Sequence, residues 1–156
     1  MSLGAVLLTT PMTFQKSLEI SREKIATLQP EFRERVRAWF NDCLDAGLHP
    51  YVYEGLRTPE RQAQLFARGP KVTKAAPGYS FHQYGRAIDF APLVNHPKAQ
   101  GLFELDWDES AYQPYYAIAK KHGLRSLSWE TPHLEDATFK NIRAVIAHDG
   151  FKGVRI

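Results

Sequence analysis

The stretch that decides the fold lies near the middle of the 156-residue chain and reads Ser80-Phe81-His82-Gln83-Tyr84-Gly85-Arg86-Ala87-Ile88-Asp89-Phe90. Its second half, residues 86–90, is predicted to be a β-strand. Side chains of a strand alternate, so Ala87 and Asp89 face one way while Ile88 and Phe90 face the other. The two large apolar residues are therefore expected to seal one face of the strand into a core.

Asp89 is the chemically informative residue of this strand. An isolated buried carboxylate costs several kcal/mol, and a cation is one way to compensate it. The small residues Gly85 and Ala87 are expected to leave open volume beside the acid. His82 precedes Asp89 across the glycine turn and can reach back toward the same point. A plainer interpretation stays open, with His82 as a hydrogen-bonded surface histidine and Asp89 as a turn or salt-bridge acid.

A second pair of polar residues follows in Glu130-Thr131-Pro132-His133. Positions i and i+3 of a flat strand face opposite sides, so Glu130 and His133 meet one metal only if the chain bends between them. Pro132 offers that bend because it fixes its own backbone and restricts the residue before it. The alternative for Glu130 is a solvated acid on an edge strand. The two segments together supply two imidazoles and one carboxylate for a metal, and they leave one carboxylate to spare for catalysis.

The pattern Ser80-x-His82-x-x-Gly85-x-Ala87-x-Asp89 resembles the zinc-ligand motif of the D-alanyl-D-alanine carboxypeptidase and L-alanyl-D-glutamate peptidase family, which includes vancomycin-resistance dipeptidases and phage endolysins. Glu130-x-x-His133 is similar to that family's catalytic acid and last ligand. The resemblance implies three zinc ligands: His82, Asp89 and His133. It also implies that zinc activates a water in an open fourth position and that Glu130 takes the proton of that water.

A third segment, Gly55-Leu56-Arg57-Thr58-Pro59-Glu60-Arg61-Gln62, is similar to the family's Gly-x-Arg-[Ser/Thr]-x-x-Arg-Gln stretch. The resemblance places Arg57 at the active site, where its guanidinium binds the substrate carbonyl oxygen and its developing negative charge. Simple pairing of Arg57 with a nearby acid is the alternative. Ser80 is expected to help hold substrate or a ligand, and Glu135 to orient His133. The last two residues of the segment are expected to organise the start of a helix.

The chain departs from the family pattern on both sides of the catalytic acid. Many relatives carry Trp-Gly-Gly before this acid and His-Phe-Glu or His-Phe-Gln at the last ligand. The corresponding residues of this chain are Leu127-Ser128-Trp129-Glu130 and His133-Leu134-Glu135. The departure predicts a reshaped loop beside the site, which affects substrate preference more than metal binding.

Hydrophobic spacing and turn residues predict the remaining elements. Helices are expected over about 14–28, 30–47, 58–69 and 109–122 and from Phe139 onward, with Pro114 in the first turn of the fourth or breaking it. Strands are expected at 51–54, at 86–90 with Pro92 closing it, near 103–105 and at 125–129, with a loop over 71–79. The sum is one α+β domain over residues 1–156, a small antiparallel sheet flanked by helices. The resemblance implies the zinc peptidase fold shared with hedgehog signalling proteins, with its core at about 50–135.

Composition excludes several other classes. The 44% hydrophobic and 24% charged residues are those of an ordinary globular protein. The lone Cys43 allows neither an internal disulfide nor a cysteine zinc site, and we expect it to be a small buried hydrophobe. A net charge of +3 without a lysine-arginine run gives weak support for nucleic acid binding. Residues 1–11 have neither the basic start nor the apolar length of a secretory signal, and no segment is apolar enough to insert in a membrane.

The sequence therefore predicts a zinc metallopeptidase that hydrolyses peptidoglycan stem peptides, with an endolysin-like L-alanyl-D-glutamate endopeptidase favoured. A D-alanyl-D-alanine carboxypeptidase or dipeptidase is the nearest alternative, and a non-catalytic zinc domain that binds wall material is the second. We expect a monomer without a nucleic acid partner. We also expect it to be made in the cytoplasm and to reach the cell wall after phage-type release.

Overall fold

The computed structural model describes residues 11–153, and the N-terminal apolar segment considered above lies outside them apart from its last residue. Six strands and five α-helices form the described part of the chain. The strands are β1 (Met12–Thr13), β2 (Pro50–Glu54), β3 (Ala87–Asn95), β4 (Leu102–Leu105), β5 (Leu124–Leu127) and β6 (Glu130–Asp136). The helices are α1 (Phe14–Ala26), α2 (Pro30–Asp45), α3 (Pro59–Ala67), α4 (Gln113–Lys121) and α5 (Ile142–Asp149), with short 3-10 helices at Phe81–Tyr84 and Glu109–Tyr112.

The α+β prediction is confirmed: the strands form one antiparallel sheet in the order β1-β4-β3-β6-β5, and β2 also pairs with β3. The strand β3 is central to this sheet. Residues 87–89 pair with β6, residues 93–95 pair with β4, and residues 89–92 pair with β2. The chemically informative strand is thus held on both edges, which fixes where Asp89 lies.

The prediction that Pro92 closes this strand is wrong, because β3 continues to Asn95. Pro92 lies between the stretch that pairs with β6 and the stretch that pairs with β4. The missing N–H of proline therefore falls where the strand changes partners, and its carbonyl still accepts a hydrogen bond from the Asp106 amide at 2.9 Å.

The predicted helices are found with small shifts at their ends. Thr13 caps α1, and Thr58 caps α3 by accepting from the Arg61 amide at 3.1 Å. Pro114 lies in the first turn of α4 and does not break the helix, which confirms the first of the two alternatives predicted for it. The last helix begins at Ile142, and Phe139 precedes it.

The main core lies between α2, α4 and the inner face of the sheet. Ile88 and Phe90 are fully buried there, as the alternation predicts, and the Phe90 ring packs at 5.0 Å from both Trp39 and Tyr112. Cys43 is fully buried in the same cluster, and burial raises the pKa of its thiol to about 12. Its expected role as a small hydrophobe is confirmed.

The expectation that Gly85 and Ala87 leave open volume beside Asp89 is wrong. Ala87 is fully buried in a second apolar cluster with Phe81 and Val145. A Cβ on Gly85 would lie 2.7 Å from the backbone nitrogen of Gln29, so that space is already filled by the chain. The small residues serve close packing behind the site.

Candidate metal centre

Three side chains that are far apart in the sequence meet at one point of the structure. His82, Asp89 and His133 each offer a ligand atom, and these atoms all lie within 4.8 Å of one another. The Asp89 Oδ1 atom lies 3.2 Å from Nε2 of His82 and 3.4 Å from Nδ1 of His133. Among residues 11–153 this is the one cluster of histidine, cysteine and acidic residues that suits a metal ion.

His82 reaches this point because of a tight turn. The 3-10 helix Phe81–Tyr84 ends at Gly85, whose φ of 65° is left-handed and reverses the chain into β3. Ser80 begins the turn, and its hydroxyl accepts a hydrogen bond from the His82 amide. Ser80 also lines the neighbouring cleft, so the turn and the cleft share this residue. His82 is 1% exposed, which rules out the surface-histidine alternative.

His133 reaches the same point from β6. It pairs directly with Asp89 across β3 and β6. On the other edge of β6, Ser126 pairs with Leu134 and the next residue, Leu127, pairs with Glu130. The three residues of β6 from Thr131 to His133 therefore have no partner on β5 and form a bulge. The bend predicted around Pro132 is confirmed. Tyr116 of α4 holds the bulge by donating a hydrogen bond to the carbonyl of Thr131.

Both imidazoles are oriented by acceptors behind them. Nδ1 of His82 donates to the carbonyl of Gly55 at 2.9 Å, and Nε2 of His133 donates to Glu135 at 2.8 Å. The remaining ring nitrogens point toward Asp89, and Nδ1 of His133 is buried without a hydrogen-bond partner. This arrangement fixes the tautomers and confirms the expected contact of Glu135 with His133.

The electrostatics of the cluster require a positive charge. Burial lowers the pKa of His133, but the carboxylates of Asp89 and Glu135 outweigh burial and raise that pKa to about 10. Burial alone would raise the pKa of Asp89, whereas the two imidazoles hold it well below its usual range. A proton on His133 supplies this charge in the absence of a metal. When both imidazoles are neutral, two nitrogen lone pairs and the Asp89 carboxylate oxygen converge in a buried site and repel each other unless a cation lies between them. The residues present therefore fit a divalent transition metal.

Arg57 lies beside the cluster and is 9% exposed. Its Nε donates to Glu54 at 2.6 Å, its Nη1 donates to Gln62 at 2.8 Å, and its Nη2 lies 3.8 Å from Asp89. Arg57 thus pairs with an acid, as the plainer alternative predicts, and it also lies close to the cluster. The two do not compete, because Glu54 holds the guanidinium against one wall of the cleft.

Sequence reasoning missed the full roles of Glu54 and Gln62. Gln62 is fully buried, and its amide donates to the carbonyl of Ala75 at 2.5 Å while its oxygen accepts from Arg57. It therefore ties the arginine to the loop that walls the cleft, beyond organising the helix start. A glutamine five residues after an arginine across a Thr-Pro cap was the available signal.

A cleft of about 910 Å³ opens above the cluster. Arg57, His82, Glu130 and His133 line its floor and sides, and its walls come from residues 70–75 and from the β5–β6 hairpin. Glu130 is exposed at the start of β6, and Trp129 before it is 77% exposed. Glu130 lies close enough to act electrostatically on both Arg57 and His133. The other described histidines lie elsewhere; His122, for example, pairs with Asp42 at 2.6 Å.

A buried cluster of two histidines and one aspartate that suits a metal ion, beside an exposed glutamate on an antiparallel sheet, is an arrangement typical of metallopeptidases. The family model of the D-alanyl-D-alanine carboxypeptidase VanY matches residues 25–133, and the chain belongs to this family. Residues 11–153 contain no helix that is long and apolar enough to cross a membrane.

Individual relatives are similar over most of the chain. The L-alanyl-D-glutamate peptidase of Escherichia phage T5 is 31% identical over an alignment of 103 residues, with a coverage of 64% of this chain and 64% of that protein. The matched region thus spans less than two thirds of this relative's length. Two solved structures share the fold. The Serratia marcescens L-Ala D-Glu endopeptidase ChiX has a TM-score of 0.55 and 19% sequence identity, and the match covers 74% of this chain and 85% of that chain. The LD-carboxypeptidase LdcB has a TM-score of 0.53 and 20% sequence identity, and the match covers 83% of this chain and 71% of that chain.

Proposed function

We propose that this protein is a zinc metallopeptidase that hydrolyses stem peptides of bacterial peptidoglycan, and that it cuts the bond between L-alanine and D-glutamate. The observation that carries the proposal is the convergence of His82, Asp89 and His133 beside Glu130. The similarity to the phage T5 peptidase supports the choice of bond.

His82, Asp89 and His133 would hold the zinc ion through two nitrogens and one carboxylate oxygen, which is a common donor set for catalytic zinc. Bound there, zinc polarises a peptide carbonyl and lowers the pKa of water toward neutrality. Gly55 and Glu135 keep the two imidazoles in the tautomers that binding requires.

Glu130 is the general base in this proposal. Its carboxylate opens onto the cleft beside His133, accepts a proton from the attacking water and then delivers it to the departing amine. Arg57, held by Glu54 and Gln62, donates to the carbonyl oxygen of the scissile bond as negative charge develops there. Ser80 and the cleft walls position the peptide chain.

A D-alanyl-D-alanine carboxypeptidase is the second candidate, since the matching family model bears that description. Both candidates use the same metal chemistry, so the products decide between them. Incubation with purified muropeptides followed by mass analysis should release a fragment with a new C-terminal L-alanine and leave the D-alanine end intact. Free D-alanine as the main product would favour the second candidate.

A non-catalytic zinc domain is the remaining alternative, and metal removal tests it. Elemental analysis of the purified protein should find about one zinc per chain, and chelation should abolish wall hydrolysis until zinc is restored. If the zinc-loaded protein binds cell walls without cutting them, the peptidase proposal is wrong.

We further propose that the protein acts as a monomer at the cell wall after its synthesis in the cytoplasm.

A further inference from the structure

Three lysines line the cleft. Lys71 and Lys74 belong to the wall formed by residues 70–75, and Lys140 lies just before α5. All three are exposed and line the same cleft as Arg57 and His133. Within residues 11–153, none of the three forms an ion pair.

The other cations of the cleft are already compensated. Arg57 is paired with Glu54 at 2.6 Å, and Arg125 is paired with Glu135 at 2.5 Å. Glu130 is the remaining acid among the described lining residues, against three lysines without an ion pair. The opening therefore carries surplus positive charge, which attracts an anionic ligand and concentrates it at the site.

We propose that Lys71, Lys74 and Lys140 bind carboxylates of the stem peptide, so that the enzyme prefers stems with free carboxylates over stems in which these groups are amidated. The inference rests on the proposed function and names its substrate class. A stem cut after its first residue carries several carboxylates beyond the scissile bond, at the γ-linked glutamate, the diamino acid and the C-terminus. Cations spread over two separate segments suit such a ligand better than the single terminal carboxylate that a carboxypeptidase must bind.

The test compares two synthetic stem peptides that differ only by amidation of the glutamate and diamino acid carboxylates. The cleft variant is Lys71→Gln with Lys74→Gln and Lys140→Gln. The matched control replaces three exposed lysines that do not line the cleft: Lys98, Lys120 and Lys121. Both variants lose the same net charge, so a difference between them reports position and not total charge.

We expect the parent to cleave the free-acid peptide with a kcat/KM about fourfold above that for the amidated peptide, since amidation removes two exposed ion pairs and each contributes a factor of about two. The cleft variant should lose this preference and the control should keep it. The preference should also shrink at high salt, because exposed charges are screened.

Retention of the full preference by the cleft variant would overturn the inference and leave the proposed function intact. Failure of the parent to cleave either peptide would instead reject the proposed function. In that case, calorimetric titration of both peptides still decides the inference. Tighter binding of the free-acid peptide to the parent than to the cleft variant supports it, and equal binding overturns it.

Discussion

At the scale of single residues, the centre depends on what lies behind the ligands. The Gly55 carbonyl and the Glu135 carboxylate each take one ring hydrogen, so the opposite nitrogens of His82 and His133 face Asp89 with their lone pairs. Glu130 has no such anchoring; it is exposed and has no ion pair among residues 11–153. In the proposed mechanism, metal binding and proton transfer therefore belong to side chains with different surroundings, and this makes the two roles separable.

Glu130→Ala should keep the metal and lose hydrolysis. The side chain is exposed, so its removal should change the free energy of unfolding by less than about 0.5 kcal/mol. Loss of a general base should lower kcat by a factor of about 100 to 10,000. His82→Ala should lose both metal and activity. The measurements are zinc content and muropeptide turnover, with the exposed Glu23→Ala as control; parent-like turnover by Glu130→Ala would reject the assigned role.

At the scale of elements, two irregular segments shape the site. The left-handed Gly85 turns the chain between His82 and β3, and the three-residue bulge of β6 separates Glu130 from the position where His133 pairs with Asp89. A regular strand in place of the bulge would put Glu130 and His133 on opposite faces of the sheet. The turn is also packed against the residues that link α1 to α2, because the Gln29 amide donates to the Gly85 carbonyl at 3.0 Å.

Gly85→Ala should therefore weaken both the fold and metal binding. An alanine at φ 65° costs about 1 kcal/mol, and the added Cβ must also displace the Gln29 backbone, 2.7 Å away. Gly47→Ala is the matched control, since Gly47 also has a positive φ but nothing within 4 Å of its added Cβ. Urea unfolding should show the larger loss for Gly85→Ala, and only this variant should lower zinc affinity. Equal losses in the two variants would mean that the close approach to Gln29 has no cost.

At the scale of the whole molecule, the sequence predicted what depends on local pattern and on motif spacing. The helices, the central strand and the bend at Pro132 follow from spacing and from proline chemistry, and the cluster of His82, Asp89 and His133 follows from the resemblance to the peptidase family. The continuation of β3 through Pro92 depends on a change of partner strands, and the anchoring of Arg57 by Gln62 depends on a loop at Ala75. The role of Gly85 as a packing site depends on Gln29, far away in sequence. Such tertiary contacts leave no periodic signal in a single sequence.

A second network fixes α5 to the sheet and makes folding stability depend on pH. Arg86 is 2% exposed and donates to Asp136 at 2.9 Å and to Asp149 at 2.7 Å. The hydrogen bond from Arg86 holds the pKa of Asp149 below its usual value of 3.8, with a further contribution from His148. A depressed carboxyl pKa in the folded state stabilises the protein fully above the unfolded value, and this stabilisation disappears as the pH falls through the folded value.

Asp149→Asn should therefore destabilise the protein at pH 7 and much less in acid. Removing one charged partner of a buried guanidinium should cost about 2 kcal/mol at neutral pH, because Asp136 still pairs with Arg86. The curves of unfolding free energy against pH for parent and variant should converge as the pH falls below 3.8 and through the lowered pKa of Asp149, where the carboxyl of the parent becomes protonated. Urea unfolding at a series of pH values measures this, and Asp45→Asn, at an exposed position without an ion pair among the described residues, should follow the parent throughout. A loss of the same size at the acid end of the series as at pH 7 would mean that Asp149 stabilises α5 through packing and not through its charge.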